Sequence, residues 1–179
     1  MNTTFSTDST VNTTPLKIDS ALSAQVQVLG DSLRAKGWSV SCAESCTGGG
    51  VAFAFTSVSG SSDWFNQSWI TYSNDAKKRT LGVSEQTLQE FGAVSKQTVK
   101  EMAEGVRRNS GAQLVVTVSG IAGPGGGSEE KPVGTVWFGF MCGAMSEQIK
   151  QVFSGDRDEV RQHAIAFAMT QLVKMLSEN

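Results

Sequence analysis

The chain has 179 residues, of which 39% are hydrophobic and 18% charged, with a formal net charge of −2 at pH 7; this is the composition of one soluble domain with a sizeable core. No basic stripe is present, so nucleic-acid binding has little electrostatic support, and no apolar run approaches the roughly 20 residues that span a bilayer. The three cysteines, Cys42, Cys46 and Cys142, lack CxxC spacing, which disfavours a disulfide framework or a zinc site and is typical of reduced thiols in a cytoplasm.

The first third of the chain predicts a tail followed by a folded domain. Residues 1–18 are mostly Thr, Ser and Asn without periodicity, and predict a flexible tail rather than a secretory signal. The domain is predicted over 19–179. Apolar residues recur at helical spacing over 20–36. A strand at 38–43 and a short apolar helix at 50–57 follow.

The rest of the chain alternates between helical and strand patterns. Asn74 is the predicted N-cap of one helix, and Asp156 with Glu159 has the spacing of a capping box at another. The stretch 114–119, LVVTVS, is apolar enough to predict a central buried strand. The predicted elements are strands at 65–72, 114–119, 135–141 and 148–153, and helices at 74–81, 84–91, from 95 and from 156. Such alternation predicts a single three-layer α/β/α domain around a mixed, mostly parallel sheet.

The segment 40–50, VSCAESCTGGG, places Ser45 where a strand ends and a helix begins. Ligands of open α/β sheets collect at that edge. There the N–H groups of Cys46, Thr47 and Gly48 are expected to be free to bind an anion or a developing oxyanion. This predicts a serine nucleophile. For this segment taken alone, a helix cap without chemistry is the simpler interpretation.

A serine nucleophile needs a base, and few residues can serve. The one histidine, His163, falls on the amphipathic C-terminal helix, which disfavours Ser-His-Asp catalysis. The stretch TYSNDAKKR supplies Tyr72 at a strand end and Lys77 in the first turn of a helix. The helix macrodipole disfavours a cation there and lowers its pKa, as a Ser–Lys mechanism requires. The alternative is a solvated basic face at 77–79.

The glycine-rich loop 120–134 follows the predicted central strand and contains six glycines. Backbone N–H groups in such loops can approach a phosphate closely, so the loop is a candidate phosphate or ribose clamp, with an ordinary mobile loop as the alternative. Its SEEK stretch at 128–131 matches the S-x-x-K motif, but the preceding glycines and the following Pro132 preclude the helix that this motif needs. Tyr72 and Lys77 are spaced one residue too far apart for the Tyr-x-x-x-Lys motif of short-chain dehydrogenases.

Several motifs occur in order along the chain: AESCTGG, GSSDWFNQSWITYSNDAK, GAVS, SGIAGPGGGSEEKPVGTVWF and FSGDRDEVR. Together, from about Ser20 to Leu176, they resemble the C-terminal domain of the CinA competence/damage-inducible family and its stand-alone amidohydrolases.

This resemblance implies that the carboxamide of nicotinamide mononucleotide is hydrolysed to nicotinate mononucleotide and ammonia, in pyridine nucleotide recycling. The family's serine, tyrosine and lysine map onto Ser45, Tyr72 and Lys77. Ser45 would attack the amide carbon, Lys77 would accept its proton, and Tyr72 would relay or orient that proton. No metal or other cofactor is expected, and a homodimer or larger homo-oligomer is favoured. The pyrophosphatase activity linked to an additional N-terminal domain of many CinA proteins is not expected.

Substrate contacts are expected from the two glycine-rich segments. The predicted substrate-binding residues are Cys46, Thr47, Gly48, Gly49, Gly123, Gly125, Ser128 and Lys131. The competing hypothesis is a nucleotide-binding or regulatory module that has kept the pocket and lost the chemistry.

Overall fold

The computed structural model describes residues 18–179, so the predicted tail, apart from Ile18, lies outside the described residues. All the predicted helices and strands are present, and their ends agree to within three residues. The elements in chain order are α1 (Ser20–Lys36), β1 (Val40–Glu44), α2 (Gly50–Thr56), β2 (Phe65–Ile70), α3 (Asn74–Leu81), α4 (Glu85–Phe91), α5 (Lys96–Ser110), β3 (Leu114–Gly120), β4 (Thr135–Cys142), β5 (Met145–Val152) and α6 (Arg157–Ser177).

The five strands form one sheet in the order β2-β1-β3-β4-β5. The β2–β1 and β1–β3 pairs are parallel, whereas β4 is antiparallel to both of its neighbours. Four strands therefore run in one direction, and the predicted mixed, mostly parallel sheet is confirmed. The apolar strand β3 lies at the centre, as predicted.

Helices cover both faces of the sheet, which confirms the three layers. Successive side chains of a strand point to opposite faces. Cys42 and Val116 accordingly pack in the core beneath α1, α2 and α6. Their neighbours Ala43 and Val115 pack in a second core beneath α3, α4 and α5.

Side-chain caps determine where most of the helices begin. The hydroxyl of Ser73 accepts the Ala76 N–H at 3.0 Å, so Ser73 is the N-cap of α3 and the predicted cap at Asn74 is wrong. At α6, Asp156 and Glu159 form the predicted capping box. In contrast, α2 begins at glycines and receives no cap from Gly49.

The carboxyl ends of β2, β1 and β3 meet at one edge of the sheet. The register pairs Glu44 at the end of β1 with Ile70 of β2 and with Val118 of β3. Ser45, the segment 71–77 and the glycine-rich loop therefore converge there, where open α/β sheets bind their ligands. Within residues 18–179, no helix is both long and apolar enough to cross a membrane.

Candidate active site

Ser45 and Lys77 lie in direct contact at this edge. The Lys77 Nζ donates a hydrogen bond to the Ser45 Oγ at 3.2 Å. It also donates to the carbonyl oxygens of Thr71 at 2.8 Å and Tyr72 at 3.5 Å. Because Lys77 is 1% exposed, the predicted alternative of a solvated basic face is wrong for this residue.

Burial lowers the pKa of Lys77 to about 8. The direction agrees with the sequence-based prediction, and the main cause is the loss of solvent on burial. No carboxylate in the described part of the chain forms an ion pair with Lys77. An unpaired, desolvated ammonium loses its proton more readily than one in water, so Lys77 is suited to accept a proton.

The turn after Ser45 is held by Glu44, a residue for which the sequence suggested no role. Its buried carboxylate accepts the backbone N–H groups of Gly49 at 3.0 Å, Val51 at 3.1 Å and Ala52 at 2.9 Å. Glu44 thus caps α2 from the strand before it. Two features of the sequence could have indicated this: a carboxylate at the end of a buried strand, and a glycine-rich helix start without a side-chain cap.

This cap changes which N–H groups are available near Ser45. The Gly48 N–H donates to the Ser45 carbonyl at 3.1 Å, and the Gly49 N–H is bound by Glu44, so the expectation of a free N–H at Gly48 is wrong. The N–H groups of Cys46 and Thr47 donate to no other residue within 18–179. Neither Ser45 nor Thr47 caps α2. Within residues 18–179 the Ser45 Oγ bonds with Lys77 alone, and the buried Thr47 hydroxyl has no hydrogen-bond partner.

A cleft of about 300 Å³ opens beside this pair. The predicted site residues that line it are Ser45, Cys46, Tyr72, Lys77, Gly123 and Gly125. The other predicted binding residues, Thr47, Gly48, Gly49, Ser128 and Lys131, are not among those that line it. Lys131 instead donates from Nζ to the Phe91 carbonyl at 2.9 Å and lines a neighbouring groove with Trp137 and Lys150.

Arg157, the first residue of α6, is a lining residue that the sequence did not single out. Its Nη1 donates to the Gly123 carbonyl at 2.7 Å, and its Nη2 donates to the Tyr72 hydroxyl at 3.1 Å. The Tyr72 hydroxyl therefore bonds with Arg157 and has no hydrogen bond with Ser45 or Lys77, so the structure does not bring it into the predicted proton path. The only indication of Arg157 in the sequence was its place within the FSGDRDEVR motif.

The remaining ionisable groups do not suggest another site. No grouping of three or more His, Cys, Asp or Glu residues suited to a metal ion occurs within residues 18–179. His163 is exposed on α6 and does not line the cleft.

Comparison with known proteins agrees with the resemblance seen in the motifs. The model of the CinA C-terminal domain matches residues 22–176. The chain belongs to the CinA C-terminal domain family. It is 55% identical over 153 residues to the nicotinamide-nucleotide amidohydrolase PncC of Enterobacter agglomerans, a match that covers 84% of this chain and 93% of that protein. It is 50% identical over 163 residues to PncC of Escherichia coli strain K12, covering 90% of this chain and 98% of that protein.

Solved structures of CinA-family proteins share the fold described above. The competence/damage-inducible protein CihA of Agrobacterium tumefaciens superposes with a TM-score of 0.86 at 38% identity, over 89% of this chain and 98% of that one. The competence damage-inducible protein A of Klebsiella pneumoniae superposes with a TM-score of 0.84 at 34% identity, over 87% and 97% of the two chains. The CinA family therefore accounts for nearly all of the described residues.

Proposed function

We propose that this CinA-family domain hydrolyses the carboxamide of nicotinamide mononucleotide to nicotinate mononucleotide and ammonia. Its relatives at 50–55% identity bear the name nicotinamide-nucleotide amidohydrolase, which supplies the substrate class. The observation that carries the chemistry is the hydrogen bond between the buried Lys77 Nζ and the Ser45 Oγ.

In the proposed reaction, Ser45 is the nucleophile and Lys77 the general base. A pKa of about 8 leaves Lys77 unprotonated in about a tenth of the molecules at pH 7. Unprotonated Nζ takes the hydroxyl proton as the Ser45 Oγ attacks the amide carbon, and then gives that proton to the departing ammonia. A water molecule, deprotonated by the same Nζ, attacks the acyl-enzyme, and Nζ then returns the proton to the Ser45 Oγ as the ester bond breaks and the acid is released.

The developing oxyanion is assigned to the N–H groups of Cys46 and Thr47. They follow the nucleophile directly, and they donate to no other residue described in the structure. Backbone donors already in place stabilise a tetrahedral intermediate without the cost of reorienting water. The Cys46 thiol is a poor nucleophile here, because burial raises its pKa to about 11 and thiolate is scarce at neutral pH.

Arg157 is proposed to bind the phosphate of the mononucleotide. It lines the cleft on the side of Gly123 and Gly125, and a guanidinium presents paired donors that fit phosphate oxygens. We propose that Tyr72 helps to hold Arg157 in this orientation through its hydroxyl. Lys131, whose Nζ bonds with a backbone carbonyl outside the cleft, has no part in the proposed site.

A binding module without chemistry explains the site less well. A module of that kind needs a pocket and a residue that binds the phosphate. It does not need a lysine buried against a serine, which costs desolvation energy without any benefit to binding.

Release of ammonia from nicotinamide mononucleotide tests the proposal, with Ser45→Ala as the decisive variant. We expect Ser45→Ala to reduce kcat by about 10³-fold or more and to fold normally, since the hydroxyl makes one hydrogen bond in the structure. Cys46→Ala is the matched control and should keep most of the activity. An active Ser45→Ala variant together with an inactive Cys46→Ala variant would show that Ser45 is not the nucleophile. A wild-type protein that binds the nucleotide but releases no ammonia would favour the binding module.

A further inference from the structure

Glu44 has a place at the site that the proposed reaction does not use. It directly precedes the proposed nucleophile Ser45, at the carboxyl end of β1, and its side chain is fully buried. A carboxylate in such a position is rare without compensating partners.

Both oxygens of this carboxylate are occupied by donors. Oε2 accepts the N–H groups of Gly49 and Val51, and Oε1 accepts the Ala52 N–H together with the Cys42 thiol at 3.7 Å. A carboxylate only accepts hydrogen bonds. An amide in its place would direct an NH₂ group at donors.

The backbone of Glu44 connects the nucleophile with the base. Its carbonyl accepts the Thr71 N–H at 2.8 Å, and the Thr71 carbonyl in turn accepts the Lys77 Nζ at 2.8 Å. On the other side, the Ser45 N–H donates to the Val118 carbonyl at 2.9 Å. Glu44 thus belongs to the β1 end that holds Ser45 and Lys77, while its side chain reaches across the turn to α2.

The turn that this side chain spans is intrinsically loose. Gly48 and Gly49 have positive φ angles of 60° and 101°, in the region that glycine enters freely and that gives the unfolded turn many conformations. Gly49 offers α2 no side-chain cap. In the described structure, the carboxylate of Glu44 holds the far end of the turn at Gly49, and the Arg161 guanidinium donates to the Thr47 carbonyl in its middle at 3.2 Å.

We propose that Glu44 is a positioning residue whose carboxylate clamps the 45–49 turn against the start of α2. The clamp holds the Ser45 Oγ next to Lys77 and the N–H groups of Cys46 and Thr47 in one orientation. The inference rests on the proposed function, because a positioned nucleophile matters only if Ser45 reacts. A displacement of about 1 Å at a reacting group can cost on the order of 10²-fold in rate.

The test compares Glu44→Gln with Asp19→Asn, using ammonia release from nicotinamide mononucleotide. Asp19 is a matched control, because its carboxylate accepts the Leu22 N–H at 2.7 Å and caps α1 away from the cleft. We expect Glu44→Gln to lower kcat at least tenfold with KM within threefold of wild type, and Asp19→Asn to leave kcat within twofold. A Glu44→Gln enzyme with kcat within twofold of wild type would overturn the inference, as would an equal loss in Asp19→Asn.

A second measurement separates this inference from the proposed function. Hydrogen–deuterium exchange of the 45–52 segment should be faster in Glu44→Gln than in wild type, with α6 unchanged. If wild-type protein releases no ammonia, the proposed function fails, and unchanged exchange in 45–52 would still overturn the clamp by itself. If Glu44→Gln does not fold, Glu44→Asp, which is one methylene too short to reach all three N–H groups, takes its place with the same expected and contradicting results.

Discussion

At the residue scale, the three consecutive basic residues 77–79 look alike in the sequence but have different surroundings in the structure. Successive residues of a helix project about 100° apart, so only one of the three can point directly at the sheet edge. Lys77 does so and is buried. Lys78 pairs with Glu85 and Arg79 with Asp75 on the outer side of α3. The chemistry assigned to Lys77 therefore depends on helix orientation.

Lys77→Arg is expected to abolish nearly all turnover while substrate still binds. Arginine keeps the charge but cannot lose a proton near neutrality, so Ser45 would have no base. Steady-state kinetics with ammonia detection measure the effect, and Lys78→Arg is the matched control with little expected change. If Lys77→Arg retained more than about a tenth of wild-type kcat, equivalent to a barrier increase below roughly 1.4 kcal/mol, Lys77 would not be the base.

The pH dependence of kcat should follow the pKa of Lys77. The base acts in its unprotonated form, so activity rises with pH until the lysine has lost its proton, with a midpoint near the pKa of about 8. Well below that pH, kcat should fall about tenfold per pH unit. A profile of kcat from pH 6 to 9.5 in constant ionic strength tests this. A kcat that does not change over this range would contradict a base with this pKa.

At the element scale, the N-terminus of α6 and the glycine-rich loop form one side of the cleft together. Arg157 reaches across to the Gly123 carbonyl, whereas Lys131, at the far end of the same loop, turns away to Phe91. The loop is thus close to the proposed phosphate position, but its own lysine is not. The cation near the proposed phosphate position is Arg157, which lies 34 residues further along the chain than Gly123.

Arg157→Ala is expected to raise KM for nicotinamide mononucleotide at least tenfold, because the phosphate would lose its paired donors. Nicotinamide riboside lacks the phosphate, so its kcat/KM should change much less in the same variant. Lys131→Ala, the control, should leave both substrates within twofold of wild type. A larger effect of Lys131→Ala on the nucleotide would instead support the sequence-based prediction of Lys131 as a substrate-binding residue.

The packing of α5 against α3 depends on a glycine. A Cβ at Gly105 would overlap the carbonyl of Leu81, the last residue of α3. That carbonyl belongs to the backbone and cannot rotate away as a side chain does. Lys77 lies one helical turn before Leu81, so a displaced α3 would also move the proposed base.

Gly105→Ala is therefore expected to destabilise the fold by about 1–3 kcal/mol and to lower kcat. In an exposed helix interior the same change would stabilise by about 0.5–1 kcal/mol. Urea denaturation of Gly105→Ala beside Glu104→Ala, at the exposed neighbouring position, measures the difference. Stabilisation by Gly105→Ala would show that α3 is free to shift.

On the scale of the whole molecule, the sheet separates two cores and brings the site residues to one edge. Helices α1, α2 and α6 lie on one face and α3, α4 and α5 on the other. The site takes Arg157 from a helix of the first layer and Lys77 from a helix of the second, with Ser45 at the end of a strand between them. A site shared by all three layers forms only when the whole domain has folded.

The homo-oligomer and the cytoplasmic location stay predictions. Sedimentation over a range of protein concentrations tests the predicted homo-oligomer.

The sequence by itself determined the elements and the fold class, and it indicated Ser45 and Lys77 as candidate site residues. Periodicity, caps and turn glycines are local signals, since they depend on residues within one or two helical turns. Ser45 followed from a strand that ends in a glycine-rich turn, and Lys77 from its place after a strand end. The rule that parallel strands end at a common edge brought both residues together, but a helix cap for Ser45 and a solvated face for Lys77 remained alternatives until the family resemblance was considered.

Only the tertiary structure decided how these residues are held and what completes the cleft. The burial of Lys77, the reach of Glu44 to α2 and the meeting of Arg157 with Tyr72, 85 residues apart, depend on how separate elements pack. Such contacts leave no periodic trace in the chain, because a side chain's orientation and solvent access depend on neighbours distant in sequence. For the same reason the sequence predicted Lys131 as a substrate-binding residue, whereas packing turns Lys131 to the Phe91 carbonyl and places Arg157 at the cleft.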